Sequence, residues 1–157
     1  MDRIVTVSGD AVHEPGNFKA PFGMNQAELI EAAGGYKVDP EKIISGGPMM
    51  GFSMFTVDVP VTKTSSSILC FTKDEVAQYE PTACINCGRC VEVCPSRLIP
   101  SRLADYAEHH DEEAFTKHEG LECMECGSCS YVCPAKRQLK QAIGSMRKTA
   151  LANRKKK

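Results

Sequence analysis

Eight of the nine cysteines in this 157-residue sequence form an internal repeat, and they are the residues most able to do chemistry. Two segments, PTACINCGRCVEVCP and LECMECGSCSYVCP, each contain the pattern C-x2-C-x2-C-x3-C-P. The repeat consists of Cys84, Cys87, Cys90 and Cys94 in the first motif and Cys123, Cys126, Cys129 and Cys133 in the second. Thiolates at this spacing are typical ligands of [4Fe–4S] clusters. The sequence therefore predicts two such clusters and one-electron redox chemistry.

The fourth cysteine of each motif is expected to bind the cluster of the other motif, as in two-cluster ferredoxins with this run. We therefore predict cluster 1 on Cys84, Cys87, Cys90 and Cys133, and cluster 2 on Cys123, Cys126, Cys129 and Cys94. This crossing requires the two clusters to lie close together and to exchange electrons quickly. Gly88 and Gly127 stand at equivalent places, where the backbone must approach the cluster and N–H groups can bond its sulfurs.

Other uses of these cysteines fit the sequence poorly. Zinc prefers two separated cysteine pairs or mixed Cys/His sets. Disulfides need an oxidising compartment, and the N-terminal MDRIVTVSGD has no apolar signal-peptide core. Cys70, in the apolar run SILCF, is predicted to be a buried thiol rather than a ligand. Since no Ser/His/Asp triad, P-loop or GxGxxG occurs, we predict no catalytic residue and leave open whether the chain is an enzyme.

Charge is divided unevenly along the chain. Residues 134–157 contain nine of the 19 Lys and Arg residues and none of the 20 acidic ones, so the rest of the chain is strongly acidic. The basic C-terminal segment predicts docking on anionic lipid or on an acidic membrane protein, although a solvated tail explains it equally well. It is short and lacks interleaved aromatic residues, so nucleic-acid binding is not expected. Arg89 in the first loop and Glu125 in the second predict a higher potential for cluster 1.

The first 72 residues predict a small α+β domain. Short β-prone runs occur at residues 3–8, 55–59 and 67–72, and they surround one helix in NQAELIEAAGG, with Asn25 as its cap. Glycines and Pro48 make residues 44–52 a turn, in which Met49 and Met50 are expected to fill the core.

The cysteine-containing half is predicted to be mainly helical. A short linking helix is expected over residues 73–79, and one or two helices over residues 100–118, with Pro100 in the first turn. Leu139, Ile143, Met146 and Ala150 share one face of a helix predicted over residues 134–150.

The segment GGPMMG (residues 46–51), followed by the doubled cysteine motif, resembles the RnfC family of the Rnf electron-transport complex. The resemblance covers essentially the whole chain, and residues 9–35 are similar to the soluble-ligand-binding β-grasp (SLBB) module of that family. It implies a β-grasp domain at residues 1–72, a mainly helical two-cluster ferredoxin-like domain at 73–150 and a basic tail at 151–157. Members of the family also carry a flavin and nicotinamide domain that has no counterpart here, so we expect a fragment or a natural short form.

The resemblance also implies a function and a location. Rnf is a membrane-bound complex that couples electron transfer between ferredoxin and NAD to ion translocation, and its RnfC component lies peripherally on the cytoplasmic face. The expected role is an electron relay through two [4Fe–4S] clusters, with membrane subunits and a ferredoxin-like protein as partners. Two alternatives stay open, namely the iron–sulfur part of a corrin reductase and a binding module with structural clusters.

Overall fold

The computed structural model describes residues 1–155 and divides the chain into two compact units, Met1–Gln78 and Tyr79–Lys157. This division falls a few residues after the domain boundary predicted at 72/73. Residues 73–79 do not form the predicted linking helix. They form hydrogen-bonded turns instead, in which the amide of Ala77 donates to the carbonyl of Asp74 over 3.1 Å.

The first unit is built on a five-stranded mixed sheet with the strand order β2-β1-β5-β3-β4. The strands are β1 (Asp2–Ser8), β2 (Gly16–Pro21), β3 (Lys42–Ser45), β4 (Phe52–Met54) and β5 (Ser67–Phe71). β1 pairs parallel to β5, and the other neighbouring pairs are antiparallel. Alternate residues of the central strands point into the core, as Val5 and Val7 do in β1 and Ile68 and Cys70 in β5. The predicted burial of the Cys70 thiol is confirmed.

One helix, α1 (Gln26–Ala32), covers the buried face of this sheet with Leu29 and Ile30. Its predicted cap is confirmed, because the side-chain oxygen of Asn25 accepts a 3.0 Å hydrogen bond from the amide of Ala27. The helix ends before Gly34, as its sequence predicts.

Two expectations for residues 44–59 are wrong. The strand expected over residues 55–59 forms instead over Phe52–Met54, where Phe52 pairs with Ser45 across the β3–β4 hairpin. Met49 and Met50 do not fill the core, since their side chains are exposed at the tip of that hairpin.

The second unit is helical. Its α-helices are α2 (Arg89–Glu92), α3 (Pro100–Glu108), α4 (Glu112–Lys117), α5 (Ser128–Tyr131) and α6 (Leu139–Arg154), and a 3₁₀ turn covers Gly120–Glu122. Pro100 occupies the first turn of α3 as predicted. α6 begins at Leu139 rather than Pro134, because Lys136 has a φ of 53° that interrupts helical geometry. α6 continues past residue 150 into the predicted tail, and residues 156–157 of that tail lie outside the described part.

The core of the second unit is formed where α3 packs on α6, with the fully buried Phe115 of α4 beside them. Five motif cysteines, Cys90, Cys94, Cys123, Cys129 and Cys133, pack against this core. The predicted fold class is confirmed: a mixed sheet with one helix is followed by a helical region that carries the cysteine motifs.

Candidate iron–sulfur centre

The two cysteine motifs fold into the same backbone shape. Asn86 and Glu125 follow the first cysteine at equivalent places, with φ values of 53° and 55°. Gly88 and Gly127 have φ values of 78° and 84°, a conformation that glycine adopts without a Cβ penalty, and each stands directly before a short helix. The repeat in sequence is therefore a repeat in structure, with α2 and α5 as its matching helices.

The cysteines line two separate cavities, and each cavity combines both motifs. One is lined by Cys84, Cys87, Cys90 and Cys133, and we call it cavity A. The other is lined by Cys94, Cys123, Cys126 and Cys129, and we call it cavity B. Each cavity thus receives the first three cysteines of one motif and the fourth cysteine of the other motif.

Two hydrogen bonds hold the crossing segments in place. The amide of Thr82, just before the first motif, donates to the carbonyl of Ala135, just after Cys133, over 3.0 Å. The hydroxyl of Ser96, two residues after Cys94, donates to the carbonyl of Glu122 over 3.3 Å. Each motif therefore begins beside the segment in which the other motif ends.

The donor sets fit iron–sulfur clusters better than single metal ions. Within residues 1–155, no group of three or more His, Cys, Asp or Glu side chains converges closely enough to hold one ion. Each of the four thiolates around a cubane cluster binds a different iron, so its cysteines stand further apart than the ligands of one ion. Four cysteines around a cavity, with no histidine or carboxylate among the ligands, match that requirement.

Local environment changes the acidity of the free thiols in cavity B. Burial raises the pKa of Cys129 to about 11 and also raises the pKa of Cys123. A hydrogen bond with the hydroxyl of Ser128 lowers the pKa of Cys126. Because metal binding requires thiolates, filling this cavity must release protons from the two buried cysteines.

Backbone N–H groups point at two sulfurs of cavity B. The amide of Leu98 lies 3.3 Å from the Cys94 sulfur, and the amide of Glu125 lies 3.4 Å from the Cys123 sulfur. Hydrogen bonds to cluster sulfurs are one of the means by which a protein sets reduction potentials.

Charged side chains near both cavities are paired in ways that the sequence did not reveal. Arg137 lines cavity A and donates to Asp105 over 2.8 Å and to Glu108 over 2.9 Å. Glu125 lines cavity B, and the guanidinium of Arg147 in α6 lies 3.3 Å from its carboxylate. The negative charge that predicted a low potential for cluster 2 is therefore compensated by a residue that is distant in sequence.

The chain matches two protein families. Residues 4–53 match the SLBB domain, and residues 83–137 match the 4Fe-4S dicluster domain. The second match spans all eight motif cysteines and supports the predicted pair of [4Fe–4S] clusters. None of the helices within residues 1–155 has the length and apolar character needed to cross a membrane.

Three relatives, all of them C subunits of ion-translocating complexes, illustrate what the chain is similar to. It is 42% identical over 154 residues to that of the Na(+)-translocating ferredoxin:NAD(+) oxidoreductase complex of Acetobacterium woodii, covering 98% of this chain and 35% of that protein. It is 45% identical over 104 residues to that of the proton-translocating ferredoxin:NAD(+) oxidoreductase complex of Clostridium ljungdahlii, covering 66% and 23%. Its counterpart in the ion-translocating oxidoreductase complex of Yersinia enterocolitica is 40% identical over 119 residues, or 75% and 17%. The chain thus spans about a third or less of these curated relatives.

Proposed function

Since the chain belongs to the RnfC family of Rnf-type complexes and matches part of its members, we propose that it is an electron relay within such a complex. The observation that carries this proposal is the pair of cysteine-lined cavities, each built from both motifs. Bound [4Fe–4S] clusters supply one-electron oxidation and reduction, and the chain supplies their ligands and surroundings.

We assign the ligands as the two cavities group them. Cavity A would hold cluster 1 with Cys84, Cys87, Cys90 and Cys133, and cavity B would hold cluster 2 with Cys94, Cys123, Cys126 and Cys129. The bonds from Thr82 to Ala135 and from Ser96 to Glu122 support this assignment, because they bring each fourth cysteine beside the opposite motif. Both crossing cysteines would then link the two centres through short stretches of backbone.

The roles of the surrounding residues follow from their positions. The amides of Leu98 and Glu125 would donate to ligand sulfurs of cluster 2 and favour its reduced, more negative state. Arg137 would place a cationic group at the wall of cavity A, while its bonds to Asp105 and Glu108 tie the segment after Cys133 to α3. No substrate bond is formed or broken on the chain, whose task is to hold both centres at fixed separation.

The wider setting is taken from the names of the relatives. We propose that this chain works in an ion-translocating ferredoxin:NAD oxidoreductase, with the other Rnf-type membrane subunits and a ferredoxin-like protein as partners. It would lie peripherally at the cytoplasmic face of the bacterial membrane, attached through the complex. The names of the relatives favour this setting over a corrin reductase or a module with structural clusters.

Reduction of the purified, cluster-loaded chain tests the relay directly. We expect dithionite to bleach its visible absorption, air to restore the absorption, and the reduced chain to show an EPR spectrum split by two interacting clusters. Absorption that dithionite leaves unchanged would mean that the clusters are structural. A spectrum of two magnetically isolated clusters would contradict the close spacing that crossed ligation requires.

The role in the complex needs a separate test in membranes that contain the assembled complex. Substituting Cys126 by alanine in this chain should abolish NAD reduction driven by reduced ferredoxin, whereas Cys70→Ala should preserve it, because Cys70 lines neither cavity. Full activity of the Cys126→Ala complex would rule out a relay through cavity B.

A further inference from the structure

A cavity of about 420 Å³ lies in the first unit, far in sequence from the cysteine motifs. Its walls are the first residue of α1, the end of β3, all of β4 and residues of the segment 55–65. Sites for small molecules have volumes of about 300–1,000 Å³. The GGPMMG turn, residues 46–51, connects β3 to β4 and so shapes one side of this cavity.

One wall of the cavity is tied together by backbone hydrogen bonds. The amide of Gln26 donates to the carbonyl of Val59 over 3.0 Å, and the amide of Val61 donates to the carbonyl of Met24 over 2.8 Å. The hydroxyl oxygen of Ser65 accepts from the amide of Thr62 over 3.0 Å. These bonds link the start of α1 to the segment after β4, so this wall is formed before any ligand arrives.

The buried side chain of Gln26 lacks a partner at this wall. Gln26 is only 4% exposed, and among the described residues its Oε1 has no hydrogen-bond donor. A buried acceptor without a donor is destabilising, and such atoms are uncommon in folded proteins. A ligand that brings an N–H or O–H group to this atom would remove the penalty.

The opposite wall is apolar and open to solvent. Phe52 is 66% exposed and Phe55 is fully exposed, although both line the cavity. Serine and threonine hydroxyls supply most of the remaining polar lining, and within the described residues no Lys, Arg, His, Asp or Glu side chain lines it. A charged ligand would therefore lose its hydration without gaining a counter-ion.

We propose that this cavity binds a neutral, flat aromatic or heteroaromatic molecule that donates an N–H group to Oε1 of Gln26. Phe52 and Phe55 would cover the ring of the ligand, and the hydroxyls would contact its polar edge. The site lies in the β-grasp unit and uses none of the cysteine ligands. Its proposal is therefore independent of the relay and can fail or succeed separately from it.

Three probe molecules test the chemistry on the unmodified, cluster-loaded chain. 2-Naphthamide is neutral and has N–H donors, N,N-dimethyl-2-naphthamide has the same ring without a donor, and 2-naphthoate carries a charge. We expect saturation-transfer NMR to detect 2-naphthamide binding with a Kd on the order of 1 mM, as expected for a ligand of this size. The other two probes should bind at least about tenfold more weakly.

Two variants test the residues. Gln26→Leu should weaken 2-naphthamide binding about tenfold and leave the dimethyl analogue unchanged, because only the N–H contact is lost. Phe55→Ala should weaken both neutral probes, whereas Val38→Ala, an exposed apolar residue that does not line the cavity, should weaken neither. Circular dichroism checks that each variant is folded, and the three-probe comparison on the unmodified chain does not depend on them.

Several results would overturn the proposal. Equal binding of all three probes, or no binding of 2-naphthamide, would exclude a neutral N–H donor as the occupant. Unchanged 2-naphthamide binding to folded Gln26→Leu would exclude the contact with Oε1. A dimer of the chain that Phe55→Ala dissociates in light scattering would assign the exposed phenylalanines to a protein interface instead.

Discussion

Replacing two cysteines at once distinguishes crossed ligation from ligation within each motif. In Cys94→Ala/Cys126→Ala, both lost thiolates line cavity B, so cavity A retains its full set. A cluster held by two remaining cysteines is expected to be lost, and iron should fall from about eight to about four atoms per chain. The reduced variant should show the EPR spectrum of one magnetically isolated [4Fe–4S] cluster.

The matched variant Cys87→Ala/Cys94→Ala removes one thiolate from each cavity. Both cavities then retain three cysteines, so neither should hold an intact four-cysteine cluster, and oxidised samples should show signals typical of three-iron clusters. Iron and sulfide analysis together with EPR before and after dithionite measures both variants. Cys70→Ala is the control, and it should retain the full iron content and the interacting spectrum.

Ligation within each motif would invert these results. Cys87 and Cys94 would then belong to one cluster, and their double variant would keep the other cluster intact. Cys94 and Cys126 would belong to different clusters, and no intact cluster would survive their joint loss. Observing this inverted pattern would refute the crossed assignment and the reasoning from the two cavities.

Three further predictions concern charge, packing and capping. Arg147→Gln should lower the potential of the cavity B cluster by on the order of 35 mV in an EPR redox titration, since one charge about 10 Å away at an effective dielectric constant of about 40 contributes about 0.8 kcal/mol; an unchanged or higher potential would contradict this. Gly120→Ala should destabilise the second unit by about 1–3 kcal/mol in urea unfolding, because the new Cβ would lie 2.5 Å from the Phe115 ring, whereas Gly47→Ala, with open space around it, should have little effect. Asp111→Ala should cost about 1 kcal/mol in the same assay, because the Asp111 side chain caps α4; equal stability would show that the cap is not needed.

Short-range patterns in the sequence predicted the features that depend on neighbouring residues. The cap at Asn25 and the start of α3 at Pro100 were predicted correctly, because the groups that satisfy a helix start lie within one turn. The helix over residues 73–79 was not, because its short apolar pattern had no core to pack against, and short isolated helices are marginal. The position of β4 also escaped prediction, since its register depends on pairing with β3.

The environment of the candidate centre was likewise beyond the sequence. Glu125 alone indicated a negative second loop, yet Arg147 from α6 compensates its charge across 22 positions of sequence. Arg137 stands only four residues after Cys133, but its two carboxylate partners lie in α3. The missing donor at Gln26 had no signal in the sequence, because burial and the absence of a partner are properties of packing.

By itself the sequence determined the eight thiolates, the repeat and the family, because cluster-binding loops are local and their spacing is written in consecutive residues. Only the tertiary structure grouped the cysteines around two cavities, paired Glu125 with Arg147 and left Oε1 of Gln26 without a donor. The physical reason is that ligand type follows from side-chain chemistry and spacing. Charge compensation, burial and hydrogen-bond satisfaction instead depend on which distant segments the fold brings together.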